Sequence, residues 1–213
     1  YKSMAKKLNI TMKLGKEVTA QEVLALKPYS ILVATGSNVI SIPLEGLDQV
    51  QTVQAHDVLA NDMQFANKKV VVIGGGITGL ETALYINRQG TNQVSVVDML
   101  PEWPVDMLDM RYQNEALLEV RHCNDQGVAL FYNNKVVKFA DGKLFIESTK
   151  DGEVKELPAD VIVLSVGVKP NDALWQELLA SGHPSVWKAG DAIATGKINK
   201  AVLHGSKFGY SLN

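Results

Sequence analysis

At 213 residues the chain has room for one large domain or two small ones, and 46% hydrophobic against 21% charged residues is ordinary for a soluble globular protein. A formal net charge of −2, from 21 basic and 23 acidic residues, gives no electrostatic reason to expect a nucleic acid partner. The longest apolar runs, about six or seven residues, are too short to cross a bilayer, and the single cysteine, Cys123, excludes an internal disulfide, a CxxC pair and a cysteine-rich metal site. No nucleic acid and no membrane partner is expected, and the cysteine usage fits a reducing, cytoplasmic setting.

YKSMAKKLNI reads as the end of a helix and KAVLHGSKFGYSLN as a helix that stops. Numbering opens at Tyr1 without a signal-peptide pattern, so a fragment of a longer polypeptide is expected. ITMKL (10–14) reads as a short strand, and TAQEVLALK as a helix with Thr19 as N-cap and Glu22 at the capping-box spacing. YSILVATGS predicts a buried strand, Ile31 to Ala34, running into Thr35, Gly36 and Ser37. NVISIPLEGLDQV reads as a loop broken by Pro43 and Gly46, and a short helix follows around Ala55 to Ala60.

KKVVVI then predicts a strand, the glycines after it a turn, and ITGLETALYINRQG a helix closed by Gly90 as C-cap. VSVVD is the next strand, which completes a β-turn-α-β unit of roughly 30 residues, the connection that builds parallel sheets. MRYQNEALLEVRHCNDQG has helical spacing and VALFY reads as a strand. From 134 to 157 the period changes to two, with Asp141-Gly142 and Asp151-Gly152 as hairpin dipeptides. ADVIVLSVG is a buried strand, NDALWQELLA a helix, and PSVWKAGDA a strand running into a loop. The order predicts an α/β fold: a Rossmann-like parallel sheet with a β-meander insertion over 55–182, flanked by segments 1–54 and 183–213 that belong to something else.

Gly74, Gly76 and Gly79 satisfy G-x-G-x-x-G, enclosing Gly75, Ile77 and Thr78, between an apolar strand and a helix. Gly74 permits the sharp turn, Gly76 lets a pyrophosphate approach the backbone, and Gly79 lets the helix pack close to the strand. The helix N-terminus offers N–H groups and partial positive charge to phosphates. Asp98 ends the next strand, 19 residues after Gly79, where a carboxylate accepts hydrogen bonds from the adenosine ribose. It would also repel a 2′-phosphate, and MLPEWP after it supplies no Arg or Lys, so NADH is expected over NADPH. The competing reading is a glycine-rich turn in a non-binding domain, with Asp98 a cap. Glu81, read as lying in the helix's first turn, either only complements the dipole or faces the nicotinamide end of the ligand.

ILVATGS (31–37), VIVLSVGVKPN (161–171) and WKAGDA (187–192), together with GGGITGLE, resemble the two-dinucleotide-binding-domain flavoproteins, which are pyridine nucleotide-disulfide oxidoreductase-like and carry FAD and NAD(P)H in paired Rossmann domains. Within them, GKEVTAQEVLALKPYSILVATGS and GDAIATGKINKAVLHG look most like the C-terminal reductase portion of the NADH:flavin oxidoreductase/2-enoate reductase family, the old yellow enzyme-like proteins that include 2,4-dienoyl-CoA reductases. Tyr29-Ser30 departs from that pattern, which usually has an acidic residue before the strand.

The resemblance implies that Ala34, Thr35 and Gly36 lie near the flavin nucleotide where the chain passes between domains. It implies that Asp191 hydrogen-bonds the sugar-like chain of FAD, that Gly190 gives its backbone room, and that Gly167 lines the nicotinamide side. For Thr35 and Asp191 the alternative is plain strand-end capping. Only one G-x-G-x-x-G loop is present, so 1–54 and 183–213 are expected to be FAD-domain remnants that do not retain FAD, with the rest of the parent polypeptide or its flavin domain as partner. FMN and an iron–sulfur cluster are implied only for the region of the parent outside this chain, since one cysteine cannot hold a four-iron cluster.

The implied reaction is hydride transfer from NADH to FAD and on to an FMN-bearing domain that reduces activated alkenes. No acid–base pair or nucleophile appears, because the cofactors do the chemistry, and the isolated chain is expected to be inactive. The alternatives are an FAD-dependent NADH oxidase or disulfide reductase, and a non-catalytic module holding ADP or AMP. Cys123 reads as structural. His56, His122, His183 and His204 lack metal spacing. Trp103, Trp175 and Trp187 read as packing rather than stacking platforms, though Trp103 follows Asp98 closely enough to touch an adenine.

Overall fold

The structure, a computed structural model, describes residues 2–101 and 113–212. In chain order these form α1 (Lys2–Lys7), α2 (Ala20–Ala25), β1 (Ile31–Val33), β2 (Ser37–Val39), β3 (Gln51–Gln54), α3 (Ala55–Ala60) and β4 (Lys69–Ile73). Then come α4 (Ile77–Asn87), β5 (Gln93–Val97), α5 (Gln113–Asp125), β6 (Ala129–Phe131), β7 (Asn134–Ala140), β8 (Lys143–Ser148), β9 (Val154–Pro158) and β10 (Val161–Leu164). The last are β11 (Val168–Pro170), α6 (Ala173–Ala180), β12 (Val186–Lys188) and α7 (Ile198–Ser211). Two compact units result, one of Val39–Gly167 and one of Tyr1–Asn38 with Val168–Asn213.

The first unit is built on a five-stranded sheet in the order β3-β10-β4-β5-β6, with every pair parallel. A parallel sheet must be covered on both faces, and its central strands therefore read as unbroken apolar runs. Val70 to Ile73 and Val161 to Leu164 are buried throughout. Val70, Val72, Val94, Val96, Val161 and Val163 face Leu80, Ala83, Leu84 and Ile86 of α4. The alternate residues Val71, Ile73, Val97, Ile162 and Leu164 pack against Phe139 of β7 and Leu144 and Ile146 of β8. The antiparallel meander β7-β8-β9 is thus the lid of the second face. Its first turn has Asp141 at φ 51° and Gly142 at φ 73°, the left-handed pair that a two-residue hairpin needs.

In the other unit β1 pairs with β12 in parallel, and β11 pairs with β2. Ile31, Val33 and Leu178 form its small core, with Val23, Leu24, Trp175 and Val186 packed around them. The capping box of α2 is present in both halves: the Glu22 N–H donates to Thr19 Oγ1, and the Thr19 N–H to the Glu22 carboxylate.

Four details depart from the sequence reading. ITMKL is not a strand: residues 10–14 carry no regular structure, and Ile10, Met12 and Leu14 are exposed, because no neighbouring strand among the described residues takes up its backbone groups. NVISIPLEGLDQV is not all loop, since β2 ends in its first residues and a 3-10 turn occupies Leu47–Gln49. QTVQ then forms β3, polar because it is a sheet edge with one partner strand. Helix α4 ends at Asn87 with Arg88 as C-cap, and Gly90, at φ 100°, follows in a turn whose N–H returns to the Asn87 carbonyl.

The 39–167 unit begins earlier and ends earlier than the 55–182 span read from sequence. Ile42, Leu44, Leu47 and Val50 join the core under the meander, whereas α6 places Leu178 against Ile31 and Val33. Residues 110–112 of the predicted α5 stretch, and Trp103, lie outside the described residues.

Leu144 is fully buried between meander and sheet, whereas Leu14 is 84% exposed. Leu144→Ala is expected to lower the unfolding free energy by about 2–5 kcal/mol in urea titration, and Leu14→Ala to change it by less than about 0.5 kcal/mol.

Candidate nucleotide-binding site

In the 39–167 unit β4 ends at Ile73 and the chain turns at Gly74, whose φ is 110°. The Gly74 N–H donates to the Val97 carbonyl at 2.8 Å, and a Cβ at Gly74 would sit 2.2 Å from the Ser165 carbonyl oxygen. No residue with a side chain fits there. Gly79, in the first turn of α4, has the same constraint from the other direction: its Cβ would lie 2.0 Å from the Gly74 carbonyl oxygen. The helix therefore rests directly on the turn that starts it, so the two outer glycines have steric reasons independent of any ligand.

Gly76 is the N-cap of α4 with extended backbone (φ −69°, ψ 173°), and it supplies no side-chain cap. The start of an 11-residue helix is left to backbone N–H groups, the arrangement that receives anions. Ile77 is buried, anchoring the first turn, while Thr78 is exposed and its carbonyl accepts the Thr82 hydroxyl at 2.6 Å.

Asp98 stands at the end of β5, held on four sides. Its Oδ2 accepts the Gly75 N–H at 2.6 Å and its Oδ1 the Leu100 N–H at 2.8 Å. Its own N–H donates to the Phe131 carbonyl at 3.0 Å, and its carbonyl accepts the Asn134 N–H at 2.9 Å. Each carboxylate oxygen keeps a lone pair for a further donor. The glycine loop and the acidic residue are thus one unit, joined through Gly75, a position the G-x-G-x-x-G pattern leaves open. Sequence reading missed Tyr132: a Cβ on Gly75 would come 3.0 Å from its ring and 3.2 Å from Asp98 Cβ. Its place as the last residue of VALFY, at the same sheet edge as Asp98, was the available signal.

Glu81 is the fifth residue of α4, in its second turn, with an exposed side chain. Gly167 has φ 92°, and its carbonyl accepts the Ile40 N–H at 3.1 Å.

The other unit holds a groove of about 400 Å³, lined by Ala34, Gly36, Gly190 and Asp191 with Ala201 and Gly205 of α7. Asp191 Oδ1 accepts the Gly196 N–H at 3.1 Å, and Oδ2 accepts the Ser37 hydroxyl at 3.5 Å. Gly190 has φ 62°, and a Cβ there would meet Ala201 at an ordinary 3.5 Å. Its glycine is required by the backbone angle, not by lack of room. The Thr35 hydroxyl donates to the Asn171 carbonyl, while the Asn171 N–H donates to the Gly36 carbonyl.

Cys123 is fully buried, and burial first, then the charge of Glu119, pushes its thiol up to about 12, so it is an inert core group. Among the described residues no cluster of His, Cys, Asp and Glu could hold a metal ion, and no helix is long and apolar enough to cross a membrane.

A steric cradle of glycines, a helix start without a side-chain cap and a carboxylate fixed at the end of the next strand are the features of a dinucleotide-binding α/β fold. The family model for pyridine nucleotide-disulphide oxidoreductases matches residues 2–205, and the chain belongs to that family of flavin-dependent NAD(P)H oxidoreductases. It is 30% identical over 211 residues to an NADH oxidase of Thermoanaerobacter brockii, covering 95% of this chain and 31% of that protein. It is 28% identical over 185 residues to a cinnamate reductase of Clostridium sporogenes, covering 84% and 26%. A solved 2-naphthoyl-CoA reductase complex superposes with a TM-score of 0.83 at 27% identity, over 98% of this chain and 31% of that one. The chain spans about a quarter to a third of the length of these relatives. The family implies binding of FAD and NAD(P)H, and the glycine cradle fits a dinucleotide.

Two outcomes test this geometry. Gly79→Ala forces α4 off the Gly74 carbonyl and is expected to cost about 1–3 kcal/mol of stability and to abolish NADH binding in calorimetric titration. Asp98→Ala removes charge-assisted hydrogen bonds worth about 1.5–3 kcal/mol. It is expected to weaken NADH about tenfold or more and to narrow the gap to NADPH, read in the same titration.

Proposed function

We propose that this chain is the NADH-binding part of a flavin-dependent oxidoreductase, in which hydride passes from NADH to FAD and on to an FMN-bearing domain that reduces activated alkenes of the 2-enoate or dienoyl type. The observation that carries the reading is the joined unit of the Gly74–Gly79 loop and Asp98, tied by the Gly75 N–H at 2.6 Å. Gly76 and the first turn of α4 would hold the pyrophosphate with backbone N–H groups and the helix dipole. Asp98 would accept the adenosine ribose hydroxyls with its remaining lone pairs and exclude a 2′-phosphate by charge. Glu81 and Gly167 are assigned to the nicotinamide end. In the other unit Ala34, Thr35, Gly36, Gly190 and Asp191 are assigned to FAD, with Asp191 accepting from its sugar-like chain.

The protein's contribution is binding, orientation and electrostatics, with the electron chemistry supplied by the cofactors when bound. The alkene reading is supported by the similarity to cinnamate reductase across 185 residues. A second reading, an FAD-dependent NADH oxidase or disulfide reductase, is supported by the similarity to NADH oxidase over 95% of the chain. FMN and an iron–sulfur cluster belong to a region beyond this chain in the proposed parent. The single cysteine is buried in the sheet core and does not fit a cluster.

The 213-residue chain is expected to bind NADH more tightly than ADP, to hold FAD poorly and to reduce no cinnamate. Fluorescence titration with NADH, ADP and FAD checks this. Equal affinity for NADH and ADP would support a static ADP- or AMP-binding role instead, and purification as a yellow, FAD-loaded protein would contradict the reading.

A further inference from the structure

The groove beside Gly190 and Asp191 depends on a residue that does not line it. The Gly190 N–H donates to Nδ1 of His204, on α7, at 3.2 Å. Among the 14 residues of this helix none is buried, and Ile198, Val202, Leu203 and Tyr210 are all more than half exposed. It meets its unit through an edge-to-face contact of Phe208 with Trp187 at 6.1 Å, the approach of Ala201 to Gly190, the Lys200 side chain beside Gly196, and the His204 hydrogen bond. Gly190 in turn is in a left-handed conformation that only its surroundings fix, and it opens the short 3-10 turn that carries Asp191.

We propose that His204 is the positioning residue of the Gly190–Asp191 turn: its unprotonated Nδ1 accepts the Gly190 N–H and sets the face that the turn presents to the groove. A backbone N–H can only donate, so the bond requires a lone pair on Nδ1 and places the ring proton on Nε2. An imidazolium, with an N–H at both nitrogens, would set two donors against each other, and the turn would lose its tie to α7. Titratable groups on the elements around His204 are Asp191 of the turn, Lys188 of β12 (paired with Asp172), Lys169 of β11, and Lys197, Lys200 and Lys207 along α7. The hydrogen bond is independent of any ligand. Its consequence for flavin rests on the reading of this groove as the FAD site.

The experiment is amide hydrogen exchange at Gly190 by NMR, with weak FAD binding followed in parallel by flavin fluorescence, on the whole chain and two variants of it. Wild type is expected to protect Gly190 about threefold or more over His204→Phe, the size of one net hydrogen bond, and to bind FAD more tightly than that variant. His204→Asn keeps an acceptor at nearly the same place, so protection and affinity stay near the wild-type values. His204→Phe keeps a ring but no acceptor, and is expected to be weakly protected. Equal Gly190 protection in wild type and His204→Phe would overturn the proposal, as would protection in His204→Asn as weak as that in His204→Phe. Exchange that follows the expected pattern while FAD affinity ignores it would sustain the positioning role and refute the flavin reading of the groove.

Discussion

The contact between α4 and the turn that begins it is the constraint on which the site depends. With a Cβ at Gly79 only 2.0 Å from the Gly74 carbonyl oxygen, and one at Gly74 2.2 Å from the Ser165 carbonyl, neither position accepts a side chain. The helix therefore starts at the strand end, beside the edge of the sheet where Asp98 also arrives. The Gly75 N–H then closes the gap at 2.6 Å. A carboxylate fixed by two backbone donors needs little further ordering when a ribose binds, which is the physical meaning of preorganisation here.

The same sheet explains the meander. A helix layer covers one face through Leu80, Leu84 and Ile86, and the opposite face of alternating Val71, Ile73, Ile162 and Leu164 needs a cover of its own. Strands β7 and β8 supply it with Phe139, Leu144 and Ile146, so an antiparallel insertion interrupts a parallel sheet without leaving an apolar face in water. The other unit is held more lightly. Its core is Ile31, Val33 and Leu178, and its groove is shaped by hydrogen bonds to Asp191 and Gly190 and not by deep packing.

Much of this was legible from residues. The unbroken apolar runs before Gly74 and Gly167, the glycine spacing, the Thr19–Glu22 capping box and the Asp141-Gly142 turn each report a local requirement that one residue type meets best. What was not legible depended on partners distant in sequence. QTVQ becomes a strand only because β10 lies beside it, and ITMKL fails to become one for want of a neighbour. Tyr132 at Gly75 and His204 at Gly190 are contacts across 57 and 14 positions, and neither has a spacing signature. Asp98 was visible as an acid at the right distance, but its fastening to Gly75 was not.

The central claim is that the loop and Asp98 form a site for NADH. The most direct test is calorimetric titration of the unaltered chain with NADH and NADPH under identical conditions. The account predicts binding of NADH at least about tenfold tighter than NADPH, a difference of about 1.4 kcal/mol. Equal affinity, or preference for NADPH, would contradict it.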